Sequence, residues 1–217
     1  MVDFYMIPKG ESSCRKCSIK EFELLMQIDY QPTLCFESEK VHQNILKMCS
    51  MPKLESILSM RQKWLGFFYK KEIMSGEVDS RLILSWINPS IGYGVFARKN
   101  IEAQQFIGCY TGQIRRYHFF KKNTNNYCFD YSAGSFKTSF LIDAEKQGGW
   151  VRFINHADEP NLETIPVITG GILHMILCTT TPIPQGAQLT YDYGEDYWAK
   201  KNDPSAIKYS LNSNQLI

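Results

Sequence analysis

The sequence predicts a mainly β body behind an α-helical N-terminal extension. Three observations carry this. Up to about residue 75 the apolar residues recur at helical spacing. After Ser80 they alternate instead. Glycine and proline then punctuate the chain at short intervals, as turns between short strands require. Many short strands with few helices indicate a compact β body. A chain of 217 residues suits one large domain, or a domain with an extension. With 44% hydrophobic and 21% charged residues, its composition is globular, and a core can close without staples.

In chain order, residues 1–12 read as loose. Ile19, Phe22, Leu25 and Met26 fall on one helical face. Val41, Ile45, Met48 and Cys49 repeat the pattern until Pro52 ends it. Leu54, Ile57, Leu58, Leu65 and Phe68 make a third, longer run. Residues 1–78 are thus expected to be a helical N-terminal region. It is either a packing module or a surface that receives substrate or a second copy in a homodimer. Residues 81–87 read as a strand closed by Asn88-Pro89, and residues 90–94 as a glycine-punctuated turn. Residues 94–97 and 105–110 are short strands, with Thr111-Gly112 turning the chain. Residues 114–122 read as a helical turn with a basic face. Strands at 127–131 and 139–143 surround a loop at Gly134, and residues 146–150 form a glycine-rich link. In the strand at 171–179, Ile172, His174, Ile176 and Cys178 share one face, with Leu173, Met175 and Leu177 on the other. A turn at 182–186 leads to a last strand at 188–192. Gly194 breaks it, and Tyr197-Trp198 opens a tail at 195–217.

Charge narrows the partners. The net charge is +2, with 11 basic and 11 acidic residues over 1–80 and 13 and 11 after. Neither half is a basic arm, so direct nucleic-acid binding is not expected. No run of about 18 apolar residues occurs, so no membrane span is expected. Residues 1–11 carry Asp3, Lys9 and Glu11 and lack the apolar core of a secretory signal, which favours a cytoplasmic location. Seven cysteines include one tight pair, Cys14-x-x-Cys17. Without a second pair, reduced thiols are the better reading and no metal site is expected.

The chemistry concentrates in one stretch, Arg152 to Asn161, where Arg, His and Asn interleave with Phe153 and Ile154. Such polar groups need partners inside the fold. His156 is either a base or ligand, or a hydrogen-bonded structural residue. Gly92-Tyr93-Gly94 lets backbone approach a ligand closely, though such a triplet is also a common turn. It lacks the following helix of a dinucleotide fingerprint and the Lys of a phosphate loop. There is no Gly-x-Ser-x-Gly nucleophile. Tyr191 and Tyr193 offer two apolar rings with two hydroxyls, able to line a narrow slot for an alkyl-ammonium stem. Tyr127 and Tyr131 could add to the wall.

Taken together, Gly92-Tyr-Gly94, Tyr110-Thr-Gly112, Phe129-Asp130, Ile142-Asp-Ala144, the 152–161 stretch and Gly186-Ala-Gln-Leu-Thr-Tyr-Asp-Tyr193 occur in a telling order. Over residues 80–198 the chain resembles the SET-domain protein lysine methyltransferases, and among them the short SET proteins of chlamydiae. Those share Trp86-Ile-Asn88, Gly92 to Arg98 and a helical front with Lys63-Trp-Leu-Gly66. The resemblance implies a SET-domain β-clip fold over 79–194 whose C-terminal stretch threads a loop as a pseudoknot. It implies S-adenosyl-L-methionine as cofactor, held by Gly92, Tyr93, Gly94, Asn155, His156, Tyr193 and Trp198. Arg152 belongs to that set or braces the fold. It implies Tyr193 as the catalytic residue, with Tyr191 and Tyr127 beside it, and a basic protein substrate, histone or histone-like. Tyr191 favours mono- or dimethylation. The acidic runs Asp158, Glu159, Glu163 and Asp192, Glu195, Asp196 could attract such a substrate or form a solvated rim. Gln113 and Asp158 depart from the family's usual Glu and Cys, and no Cys-rich segment follows, so the tail must supply that wall. A chlamydial relationship implies secretion to a host nucleus. The alternatives are a SET-fold binding module with little turnover, or a methyltransferase for a non-histone protein.

Overall fold

The computed structural model describes residues 3–117, 125–194 and 197. Among the described residues strand outnumbers helix, 38% to 24%, so the fold is mainly β. The chain opens with β1 (Asp3–Ile7), where a loose segment was expected, and β2 (Arg15–Ser18). Phe4 and Met6 are buried on β1, which gives the strand its reason. Helix α1 (Ile19–Met26) starts on a capping box between Ser18 and Glu21 and stops at Gln27, whose φ of 54° is left-handed. β3 (Asp29–Tyr30) and β4 (Cys35–Phe36) follow, then α2 (Glu39–Cys49), capped by Ser38. The long third apolar run divides into α3 (Pro52–Ile57) and α4 (Met60–Phe68). Leu58 is extended there, and Ser59 with Gln62 builds a new capping box. α5 (Lys70–Ser75) ends on Gly76 at a φ of 60°.

Strands β5 (Leu82–Asn88) and β6 (Gly92–Ala97) form a hairpin. Gly92 to Gly94 therefore belong to a strand rather than the expected turn. The turn lies just before, where the Asn88 side-chain oxygen accepts from the Ser90 and Ile91 amides. β7 (Phe106–Cys109) precedes β8 (Gly112–Arg116), so residues 114–116 are strand where a helical turn was expected; 118–122 lie outside the described residues. β9 (Cys128–Asp130) and β10 (Phe140–Gly148) pair next, β10 running through the expected link. A 3-10 turn (Trp150–Phe153) leads into β11 (Asn155–His156). β12 (Leu162–Thr169), unforeseen, pairs along its whole length with β13 (Ile172–Thr179). Gly170 and Gly171, both at positive φ, close that hairpin. β14 (Thr190–Tyr191) is the last strand.

The strands make four sheets, in the orders β2-β1-β5-β6, β3-β10-β8-β4 with β9 on β10, β11-β14, and β12-β13-β7. Three of the four N-terminal strands add to later strands in parallel: β1 to β5, β3 to β10 and β4 to β8. One apolar core spans both sides of residue 79, from Phe4, Phe22 and Ile45 to Ile142, Ile154 and Leu189. Helix α4 seats Leu65 and Gly66 on β12, and a Cβ on Gly66 would lie 2.6 Å from the Ile168 carbonyl oxygen. Its other face leaves Met60, Trp64, Phe67 and Phe68 exposed, Trp64 and Phe68 stacked at 4.6 Å.

Candidate active site

The site forms where β14 passes beside β11. The two strands run parallel, Asn155 opposite Thr190 and His156 opposite Tyr191. Asn161 clasps the passing strand from the far side of the loop. Its Nδ2 donates to the Gln188 carbonyl at 2.8 Å, and its Oδ1 accepts from the Thr190 amide at 2.9 Å. Ile154, fully buried, accepts the Tyr193 hydroxyl on its carbonyl at 2.9 Å. The C-terminal stretch is thus tied to the 152–161 segment at three successive points, the contact expected of a threaded strand.

Tyr193 sits at the centre of this arrangement. Its ring lies 4.8 Å from Tyr191, 4.6 Å from Tyr197 and 5.4 Å from His156. Phe129 stacks on Tyr191 at 6.3 Å and meets Tyr110 at 4.9 Å. Burial pushes the Tyr191 and Tyr193 phenols well above the ordinary tyrosine range, and neighbouring phenols add to the rise. Both are therefore neutral hydroxyls at physiological pH, not phenolates. Tyr127 lies close enough to Tyr193 to contribute to that rise, while its ring packs against the Arg152 guanidinium at 3.5 Å. Tyr131 turns away from this wall. It is fully buried, donating to the Leu173 carbonyl and accepting from its amide.

The residues assigned to the cofactor fall into two groups. Gly94 and Asn155 meet, with Tyr93 between them. The Asn155 Nδ2 donates to the Tyr93 carbonyl at 3.2 Å, and a Cβ on Gly94 would lie 3.0 Å from that Nδ2. The same Cβ would lie 2.8 Å from Gln188 Nε2, a buried amide with no hydrogen-bond partner. Gly92, at a φ of 83°, has open space over its Cα. The Tyr93 hydroxyl accepts from the Lys9 amide, and Lys9 Nζ lies over Trp86, so the N-terminal region borders this face. Arg152 faces elsewhere: its Nη1 donates to the Ala144 and Glu145 carbonyls, and it stacks on Tyr127 and Phe153. That geometry is the bracing alternative. Trp198 lies outside the described residues.

His156 takes a defined tautomer. Its Nδ1 accepts from the Tyr193 amide at 3.2 Å, so the ring proton sits on Nε2, which donates to Asp158 Oδ1 at 3.3 Å. Asp192 Oδ1 is 3.6 Å from Nδ1 and accepts from the Gly194 amide. The two acidic runs are partly engaged: Glu163 pairs with Arg61 at 2.6 Å, and Glu195 and Asp196 lie outside the described residues. No cluster of three or more His, Cys, Asp or Glu suited to a metal ion occurs among the described residues. Burial pushes the Cys109 and Cys178 thiols up to about 12, so both stay protonated.

Gln188 was missed by sequence reasoning, since a single Gln in a β-strand stretch carries no signal. The sequence offers Asp158 only as part of an acidic run; its partner is a ring nitrogen whose direction only the fold sets.

A family model described as SET domain matches residues 92–194. The histone-lysine N-methyltransferase SETD2 of Mus musculus is 32% identical over 114 residues, 51% of this chain and 4% of that protein. The histone-lysine N-methyltransferase set-1 of Caenorhabditis elegans is 35% identical over 113 residues, 48% of this chain and 47% of that protein. The chain spans less than half the length of either relative. The crystal structure of ATXR5 in complex with mono-methylated histone H3.1 superposes with a TM-score of 0.57 at 18% identity. It covers 82% of this chain and 86% of that one, a likeness of fold alone. The chain has the SET-domain fold, its residues 92–194 match that family, and histone-lysine N-methyltransferases are among the proteins it is similar to.

Proposed function

We propose that this protein is an S-adenosyl-L-methionine-dependent protein-lysine N-methyltransferase acting on basic proteins. The observation that carries this reading is the neutral, closely packed pair Tyr191 and Tyr193, delivered by β14 beside the Gly94–Asn155 junction. That junction fits the amino-acid end of the cofactor. Glycine at 94 lets the Gln188 and Asn155 amides lie directly against the backbone, and Gln188 Nε2 is a buried donor in want of an acceptor. S-adenosyl-L-methionine supplies a methyl group on a sulfonium centre when bound. The protein's part is to hold a deprotonated lysine amine in line with it. A lysine titrates near 10.4 in water, and an aromatic, desolvated slot lowers that value. The slot is walled by Tyr110, Phe129, Tyr191, Tyr193 and Tyr197. Tyr193 spends its proton on the Ile154 carbonyl, which leaves its oxygen lone pairs as acceptors for a polarised methyl C–H. As a neutral phenol it positions groups rather than taking the lysine proton, which passes to water.

The substrate in this reading is a histone or histone-like tail, of a host cell or of the producing bacterium. That makes the protein a bacterial effector acting on chromatin, made in the cytoplasm and secreted toward a host nucleus. Exposed Asp192, beside the tyrosines, suits a basic peptide. Residues 79–194 carry the chemistry and 1–78 support it. The exposed stripe Met60, Trp64, Phe67 and Phe68 is the face through which two copies would pair. Sedimentation of wild type against Phe67→Glu tests this: equal monomer mass in both removes the dimer.

Transfer of a radiolabelled methyl group to a panel of basic proteins, with Tyr193→Phe as control, tests the main reading. Labelling of a lysine that Tyr193→Phe lowers by about tenfold or more supports it. Cofactor binding without transfer to any protein would instead favour a binding module. Mono- and dimethyl-lysine are the expected products, because the Tyr191 hydroxyl crowds the amine. Tyr191→Phe should raise the methylation state, and mainly trimethyl-lysine from wild type would refute that role.

A further inference from the structure

We propose that Asp158 is a positioning residue for Tyr193, acting through the tautomer of His156. This rests on the methyltransferase reading above. The chain of contacts is continuous. Asp158 Oδ1 accepts from His156 Nε2 at 3.3 Å, and His156 Nδ1 accepts from the Tyr193 amide at 3.2 Å. Tyr193 is held again two residues upstream of His156, where its hydroxyl donates to the Ile154 carbonyl at 2.9 Å. One short segment therefore grips Tyr193 at backbone and hydroxyl together.

The Tyr193 grip needs a lone pair on Nδ1. A neutral imidazole offers it only when its proton resides on Nε2. Asp158 can only accept, so it rewards that tautomer and no other. Asp192, the other carboxylate near the ring among the described residues, stands 3.6 Å from Nδ1 and would favour the opposite state. Its Oδ1 is occupied by the Gly194 amide. Asp158 thus decides between two competing carboxylates. Its own side chain is 68% exposed, so little of the core depends on it, whereas the imidazole it fixes is largely enclosed, with 18% of its side chain exposed.

The test uses the full chain, with Asp158→Ala and Asp158→Asn. Asparagine keeps a carbonyl acceptor facing Nε2; alanine keeps none. Imidazole ¹⁵N shifts are measured alongside methyl-transfer kinetics. In wild type and Asp158→Asn, His156 is expected to carry its proton on Nε2, with kcat within about threefold of each other. In Asp158→Ala the two tautomers mix and kcat falls about tenfold, the rate equivalent of one lost hydrogen bond. KM for the methyl donor and the melting temperature stay unchanged. An unaltered tautomer and kcat in Asp158→Ala would overturn the proposal. So would an equal loss in Asp158→Asn with the Nε2 tautomer intact, since charge rather than the hydrogen bond would then matter. A wild type that transfers no methyl group refutes the methyltransferase reading, while the ¹⁵N shifts still decide whether Asp158 sets the tautomer.

Discussion

Replacing Asn161 with alanine should release the strand that carries both tyrosines. Asn161 makes two hydrogen bonds to that strand, at 2.8 Å to the Gln188 carbonyl and 2.9 Å from the Thr190 amide. Each contributes about 0.5–1.5 kcal/mol net, so the pair is worth roughly 1–3 kcal/mol. The cost falls locally, because β14 pairs elsewhere only with the two residues of β11. A loss of that size opens the Thr190 amide to exchange about 10- to 100-fold faster, since 1.4 kcal/mol is a factor of ten. Hydrogen exchange resolved at Thr190 reads this directly. Methyl-transfer kcat should fall with it, because Tyr191 and Tyr193 follow Thr190 at once. Asn161→Asp separates the two bonds: it keeps the acceptor for Thr190 and sets a carboxylate against the Gln188 carbonyl. Unchanged Thr190 exchange in Asn161→Ala would refute the clasp, whatever happened to activity.

Gly94→Ala places a methyl group 2.7–3.0 Å from the ends of Ile87, Gln188 and Asn155, which can shift, so the fold loses only about 1 kcal/mol. Calorimetry with S-adenosylhomocysteine should nevertheless show at least tenfold weaker binding by about 1.4 kcal/mol. Arg152→Ala strands the Ala144 and Glu145 carbonyls and uncovers Tyr127, costing about 2–3 kcal/mol in denaturant melts, and lysine does not restore the ring stacking. His174 is buried, which lowers it from 6.5 to about 4. The unfolded chain therefore binds a proton that the folded one refuses as pH falls below 6.5. Stability should drop by about 2 kcal/mol between pH 7 and pH 5, and His174→Leu should flatten that slope in urea titrations.

Much of this was legible where the signal is local. The alternation at 172–179 marks β13, and the helical spacing of Phe22, Val41 and Ile45 marks α1 and α2. The 152–161 segment and Tyr191 with Tyr193 could be paired because their order is distinctive, and the fold does bring them together. What escaped depends on distant partners. β3 and β4 are two residues each and exist only because β10 and β8 offer open edges. β1 was hidden because Phe4 and Met6 lie in a segment too short to show a period on its own. Thr169-Gly-Gly-Ile172 marks the end of β12, but Pro166 lies inside the strand, where proline is disfavoured. It is tolerated because β12 lies on the edge of its sheet. Gly92 to Gly94 looked like a turn because glycine marks both turns and close approach, and here Gly92, at a φ of 83° with open space over it, marks the first and Gly94 the second.

The parallel additions of β1, β3 and β4 bear on how the protein can be handled. The family model begins to match at residue 92, yet the stretch it matches cannot be lifted out cleanly. A fragment starting at 79 would bare the edges of β5, β8 and β10 that the first 36 residues now cover. Open strand edges invite pairing with the next molecule, so such a fragment should aggregate rather than report a weakened enzyme. The stretch that the family model matches and the stretch that folds are different lengths of chain. The opening residues are less an attachment than a covering, whose removal bares three strands that pair with those carrying the site or lie beside them.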